Sequence, residues 1–399
     1  MGFRKTILSL EQALTLPYAT QRFVQLGWRV IRLESAADNT PTPGDPNRYI
    51  GEETGEGDRH AYFIAPNIGK EAITINLKTQ RGRDLLKEII ASIPIDVFMC
   101  NTLPKGYKKL GIDFDTLKLA NPNLIWCGIS AMGPDYPDFA GYDPALQALS
   151  GYMHLTGDPE GDPMLCGLPL IDLKAGDEAF SQVLLAILEQ HDQPGPKEIN
   201  ISMVQCAASW LITSLPQISF ADPSKWFTRS ANEHRSFIPS NAYPTSNGFV
   251  YLAIGSDSQW KKLCEFPGFK HLDKKGRETN DGRKKDKEAI YADIREGLKR
   301  YTSQDFIHLC RENHLAVAPV NNIEQVSAID PLKQKMMKTT LPDSRTVSLV
   351  PPAVDTTYMK ANNYTFNCAP GLGEHNHQVL AEAGVNADEI NNLENEKII

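Results

Sequence analysis

Short apolar runs of strand length alternate with stretches whose apolar residues fall at helical intervals, and this alternation limits the chain to few folds. Residues 6–10 read as a strand; Pro17 starts a helix carrying Ala19, Phe23, Val24 and Leu26, which stops at Gly27; residues 28–33 form the next strand. Further strands are expected at 72–77, 95–99, 124–130 and 198–201, with a helix running from the Lys78–Arg83 stretch through Ile90. Strands and helices in alternation give an α/β fold with a mostly parallel sheet, whose ligands gather at the carboxyl ends of the strands. The opening is a strand-helix-strand unit of Rossmann type. It lacks the GxGxxG turn that cradles a dinucleotide, so no nicotinamide cofactor is expected.

The stretch Gly167-Leu168-Pro169-Leu170-Ile171-Asp172-Leu173-Lys174-Ala175-Gly176 is where chemistry is expected. Pro169 and the pair Leu170-Ile171 suggest an extended approach. From Leu173 through Ala175, Ala179, Phe180, Val183, Leu184, Ile187 and Leu188 the spacing is helical, which puts Asp172 near a helix start. Two readings of Asp172 follow. As an N-cap, its carboxylate accepts from the free N–H groups of the first turn. As a nucleophile, it is kept ionised by those groups and the helix dipole and attacks an acyl carbon to give a mixed anhydride. Position alone leaves both open.

A chain of 399 residues exceeds one core of ordinary size, so two domains are expected. The character changes near Asp222, with an Asn-Gly hairpin within 241–254 and helices from Ala289 and Ser303. A smaller α+β domain at 222–329 is therefore expected between two parts, 1–221 and 330–399, of a large Rossmann-like domain. Hydrophobic content of 41% and charged content of 23% suit a globular chain, and no apolar run reaches the length of a membrane span. A net charge of −8 argues against a nucleic-acid partner. Seven cysteines without a CxxC pair speak against zinc and against a disulfide framework, and fit a reducing, cytoplasmic setting. The myristoylation-like start at Met1-Gly2 has no polybasic follow-up and is read as chance. His375 and His377 lack a third partner nearby, so structural roles and no metal are expected. Lys70, Lys78, Arg81, Lys105, Lys108 and Lys109 follow successive strands and could gather around the phosphates of an anionic ligand, although each alone reads as solvated surface. Tyr142 reads as core, residues 35–59 as a surface loop, and the basic run 274–287 as a solvated face.

The order of motifs resembles one family along nearly the whole chain. The matching stretches are Leu26-Gly27-Trp28-Arg29-Val30-Ile31-Arg32-Leu33-Glu34, Asn67-Ile68-Gly69-Lys70 with Leu77-Lys78, Asn121-Pro122-Asn123-Leu124-Ile125, Gly141-Tyr142-Asp143, Leu149-Ser150-Gly151, Thr156-Gly157, Asp172 with Ala175-Gly176, Trp260, Pro319-Val320-Asn321 and Leu372-Gly373-Glu374-His375. Together they resemble the class III CoA-transferases, the formyl-CoA and carnitine-CoA transferase group. The resemblance implies that Asp172 is the aspartate nucleophile, that a large and a small domain are present, and that two subunits interlock as a homodimer or as a heterodimer with a related chain. It places coenzyme A contacts at Leu14, Thr15, Ile75, Asn76, Leu77, Lys78, Asn101, Thr102, Leu103, Lys109, Phe139, Ala140, Gly141 and Tyr142. Coenzyme A thioesters are then substrates, with no permanently bound cofactor. Thr15-Leu16-Pro17 stands where the family has Ala-Gly-Pro, Ser35 where an arginine often follows the second strand, and Lys109 where Arg is frequent. The glycine-rich flap of formyl-CoA transferase has no counterpart.

The implied reaction is CoA transfer from an acyl-CoA donor such as succinyl-CoA to a free acid, with an aromatic or branched dicarboxylate such as benzylsuccinate as one expected acceptor. It passes through aspartyl anhydride and aspartyl-CoA intermediates. Two alternatives are kept. An α-methylacyl-CoA racemase needs an acid and a base, but resembling racemases have a histidine where this chain has Tyr142, and a phenol is a poor base near neutrality. A supporting subunit of a heteromeric transferase is the other.

Overall fold

A computed structural model describes residues 4–36 and 41–399, so the myristoylation-like start falls partly outside the described residues. Six strands form one sheet: β1 (Thr6–Leu10), β2 (Arg29–Glu34), β3 (Glu71–Thr74), β4 (Val97–Cys100), β5 (Ile125–Ser130) and β6 (Lys197–Ser202). Their order is β3-β2-β1-β4-β5-β6, and every neighbouring pair is parallel. Chain order reverses between β1 and β4, where sheets of this kind open a crevice for ligands. Helices α1 (Thr15–Val24), α2 (Ala61–Asn67), α3 (Gln80–Ser92), α4 (Asp143–Leu149), α5 (Leu170–Asp192) and α6 (Met203–Ser209) surround it. Ile7, Val97 and Ile125 face Leu16 and Phe23 of α1 and Ala175 and Val183 of α5; Leu8, Ile31, Phe98 and Trp126 face Leu85, Leu86 and Ile89 of α3. A strand buried on both faces must be apolar throughout, as Val97-Phe98-Met99-Cys100 is.

The local differences from the sequence reading have physical causes. The first helix begins at Thr15, two residues ahead of Pro17; the proline still lies in the first turn, where a missing N–H costs nothing. β2 begins at Arg29, so Trp28 lies outside it and stacks on Phe23 instead. β3 ends at Thr74, although apolar residues continue to Leu77; Ile75 N–H still reaches Glu34 O of β2 at 3.0 Å, but Asn76 N–H turns to Ile398 O at 2.7 Å, so from Asn76 the C-terminal tail replaces the strand neighbour. Leu170 and Ile171 lie inside α5, not in an extended approach. The segment 35–59 is more than a surface loop. Asp45 and Arg48 are buried, held by Arg32 and Glu34 of β2.

The chain divides into two compact units. The first comprises Met1–Tyr152, Leu165–Trp226 and Pro331–Ile399, the second Met153–Met164 and Phe227–Asp330. In the second unit, β7 (Asn241–Pro244), β8 (Phe249–Ala253) and β9 (Ala316–Pro319) form an antiparallel sheet in that order. Thr245 N–H closes the Asn-Gly hairpin on Gly248 O at 2.8 Å. Its core includes Tyr243, Leu252, Trp260, Ile294 and Phe306. Within the basic run, Arg277 and Arg283 are buried and paired with Asp286, Asp293 and Asp257, so part of it is internal structure rather than a solvated face. Among the described residues, no helix is long and apolar enough to cross a membrane, and no group of three or more His, Cys, Asp or Glu is placed to hold a metal ion. His375 Nδ1 accepts from Ala72 N–H, and His377 pairs with Glu394. All seven cysteines are free, five of them buried.

Candidate active site

A cavity of about 260 Å³ opens at the carboxyl ends of β1, β4 and β5, next to the point where the strand order reverses. Gln12, Ala13 and Thr15 follow β1; Asn101, Thr102 and Leu103 follow β4; Phe139, Ala140, Gly141 and Tyr142 lead into α4; Asp172 comes from the first turn of α5. Eight of the expected contacts thus share one cavity with Asp172. Six do not line it: Leu14, Ile75, Asn76, Leu77, Lys78 and Lys109. The side chains of Ile75 and Leu77 are buried in the core beneath α3. Lys78 and Lys109 are exposed.

The turn after β1 is held from two sides. Ala13 takes a left-handed conformation (φ 60°), and its N–H donates to Asp45 Oδ1 at 3.2 Å. Asp45 is fixed in turn by Arg32 at 2.6 Å. Across the switch point, Asn101 Nδ2 donates to Gln12 O at 2.7 Å and its Oδ1 accepts Gln12 N–H at 3.1 Å. The Asn101 amide therefore ties β4 to the β1 turn.

Asp172 is the third residue of α5 and does not cap it. That role falls to Asp143, whose Oδ2 accepts the N–H of Ile171 at 2.7 Å and of Asp172 at 3.2 Å. One turn along α4, Gln147 bonds Asp143 Oδ1, Leu168 O and Cys166 N–H, which fixes the segment leading into α5. This outside cap lets the helix begin at Leu170. The Asp172 carboxylate is left to the cavity, where the Thr15 hydroxyl donates to its Oδ1. Burial pushes its carboxyl up to about 6; the Thr15 hydrogen bond opposes that rise and the Asp143 charge adds to it. Desolvation, not the helix N–H groups, therefore sets the ionisation of Asp172. Near neutral pH most of the carboxylate is still charged, poorly solvated and available as a nucleophile.

Among the described residues, no Lys or Arg lines the cavity, so the six basic residues after the strands do not gather there. Lys70 is buried against Glu11 at 2.6 Å, Arg81 is paired with Glu88 and Glu389, and Lys105 with Asp138. Tyr142 is 77% exposed on the cavity wall rather than in the core. Three residues escaped the sequence reading. Asp143 looks like an ordinary helix-start aspartate, and nothing in the linear order joins it to α5. Asp45 sits in a Gly-Asp-Pro turn that reads as solvated. Tyr62, exposed on α2, lies near enough for the Asp172 and Asp143 charges to reinforce the rise that burial gives its phenol; only folding reveals this proximity.

Residues 5–376 match the family model described as CoA-transferase family III. A protein named succinate–glutarate CoA-transferase, from Agrobacterium fabrum, is 30% identical over 390 residues, covering 94% of each chain. The human succinyl-CoA:glutarate CoA-transferase is 26% identical over 385 residues, 94% of this chain and 84% of that one. Among solved structures, a CAIB/BAIF family protein from Brucella suis superposes with a TM-score of 0.82 at 27% identity, covering 95% of this chain and 98% of its own.

Proposed function

The chain belongs to CoA-transferase family III, and from that premise we propose that it moves coenzyme A from a dicarboxylic acyl-CoA, with succinyl-CoA as the first candidate, to a second free carboxylic acid through acylated Asp172. The observation that carries this reading is the unused carboxylate of Asp172: half-buried in a cavity at the strand ends, relieved of capping by Asp143, and raised to about 6. Asp172 attacks the thioester carbonyl; the C–S bond breaks and the CoA thiolate leaves a mixed anhydride. The thiolate attacks the Asp172 carbonyl carbon, releasing the donor acid and forming aspartyl-CoA. The acceptor carboxylate then runs the two steps in reverse. Free energy passes from thioester to thioester, so neither ATP nor a metal is required.

The two relatives act, by their names, on succinate and glutarate, which favours a short dicarboxylate as acceptor. With no cation on the cavity wall among the described residues, the distal carboxylate of such an acid takes its counter-charge from outside this cavity. Phe139 and Tyr142 offer aromatic surface to an acceptor such as benzylsuccinate or to the adenine ring. A second copy, or a related chain, is proposed as partner: Trp210, Ile212, Leu215, Ile218 and Phe220 are all exposed within one short stretch, a run of apolar side chains of the kind that marks a protein–protein contact. Light scattering on the purified chain tests that pairing.

The deciding experiment mixes the purified chain with succinyl-CoA and a panel of free acids and follows new thioesters by mass spectrometry. Transfer to glutarate by the native chain, with none by Asp172→Asn, is the expected result. Turnover by Asp172→Asn would defeat the assignment.

A further inference from the structure

The geometry points to Thr15 as a catalytic residue, whose hydroxyl stabilises the oxyanion that forms on Asp172 whenever the aspartyl carbonyl carbon is attacked. This rests on Asp172 being the nucleophile, and it differs from the role the family resemblance gives Thr15, a contact to coenzyme A. The cycle contains two attacks on that carbon, one by the thiolate on the anhydride and one by the acceptor carboxylate on aspartyl-CoA. In each, the C=O π bond opens, a C–S or C–O bond forms, and the electron pair rests on the carbonyl oxygen until the leaving thiolate or carboxylate departs. The other oxygen of Asp172 bridges to the acyl group in the anhydride. The carbonyl oxygen is the one that a fixed donor can serve in both steps.

Thr15 Oγ1 already donates to Asp172 Oδ1. The backbone donors of the first turn of α5 itself are committed elsewhere. Leu173 N–H belongs to the helix bond with Pro169 O at 3.1 Å, and the N–H groups of Ile171 and Asp172 belong to Asp143. Among the described residues, no other hydrogen bond to the Asp172 carboxylate is formed. Thr15 is buried at the first turn of α1, and its β-branched side chain has few rotamers to explore. Gly176, one turn beyond Asp172, lets α1 lie close enough for the contact: a Cβ there would stand 2.8 Å from Thr15 O. A donor fixed in advance in a poorly solvated site needs no reorganisation when charge appears, the condition under which oxyanion stabilisation is strongest.

The test compares Thr15→Val, which keeps the shape and removes the donor, with Thr15→Ser, which restores it. Thr15→Val is expected to lower kcat roughly a hundredfold, as loss of one oxyanion donor does, with KM for the acyl-CoA little changed. Thr15→Ser should recover most of kcat. The aspartyl-CoA adduct, trapped after mixing with succinyl-CoA alone, should form more slowly in the Val variant by a similar factor. Removing a hydrogen bond to the ionised form also moves the acid limb of kcat upward from about 6. The other titratable groups facing Asp172 or its cavity are Asp143 from α4, Tyr62 from α2, and Asp45 and Tyr142 on the cavity wall, and the substitution leaves all four in place. Unchanged kcat with a raised KM would make Thr15 a coenzyme contact and overturn the inference. A Val variant that folds poorly would be replaced by Thr15→Ala, judged by the same split between kcat and KM. Should Asp172→Asn retain turnover, both assignments fall; should it be inactive while Thr15→Val is fully active, only Thr15 falls.

Discussion

At the level of single residues, the site is a carboxylate kept slightly uncomfortable. On the proposed mechanism transfer needs Asp172 ionised, so kcat should fall as pH drops through about 6, read from initial rates in a buffer series. The same raised value has a stability consequence. A carboxyl whose folded pKa lies above its unfolded value of 3.8 favours the fold only where it is protonated, and that contribution is lost as pH rises through about 6. Asp172→Asn removes the charge, so at neutral pH the inactive variant should melt at a higher Tm than the native chain, by an amount worth about 1–2 kcal/mol. Asp143→Asn should act in the opposite sense to loss of Thr15. Its negative charge helps to raise Asp172, so neutralising it shifts the acid limb of kcat downward. The place of Asp172 near a helix start was legible from the apolar spacing around it, while its proposed role as nucleophile came only with the family resemblance. Its hydrogen-bond partners were not, since Thr15 and Asp143 lie 157 and 29 residues away in sequence.

At the level of elements, the contact between α1 and α5 sets the geometry on which the residues depend. Gly176 faces α1 with nothing to spare: a Cβ there would stand 2.7 Å from Tyr18 Cδ1 and 2.8 Å from Thr15 O, and the latter is backbone that cannot rotate away. Gly176→Ala should therefore push the helices apart, costing about 1–3 kcal/mol in urea unfolding and lowering kcat by carrying Thr15 from Asp172. The parallel strands could be read from sequence, as β1 shows by agreeing with expectation at both ends. Strand ends were harder. Ile75 and Leu77 carry a strand-like apolar pattern, yet they are buried by the far C-terminus, and local sequence cannot tell burial by a tail from burial by a strand. The start of α5 was misplaced for a related reason, because its cap comes from another helix.

At the level of the whole molecule, the floor beneath the cavity is a buried network of charges. Arg32 meets Glu11 at 3.0 Å, Glu34 at 2.9 Å and Asp45 at 2.6 Å; Glu34 also pairs with Arg48, and Glu11 with Lys70. Burial alone would raise the Glu34 carboxyl, but Arg32 and Arg48 outweigh it and hold the group at about 2. A carboxyl depressed in this way contributes stability above its unfolded value of 4.5, which is lost as pH falls toward 2, so cooperative acid unfolding is expected across that window by circular dichroism. Arg32→Met takes a cation from three buried acids, of which Glu34 keeps Arg48 and Glu11 keeps Lys70 while Asp45 loses its partner, and should cost about 3–5 kcal/mol, enough to lower the soluble yield sharply. The sequence showed these residues as scattered charges on a strand and a loop, and only the fold makes them one assembly. The cap on α5 carries an implication for ancestry. A lineage that replaced Asp143 with a side chain unable to accept a hydrogen bond would leave the first N–H groups of α5 unmet beside Asp172, so divergent paralogues are best sought among chains that keep the aspartate and have lost the acceptor 29 positions upstream.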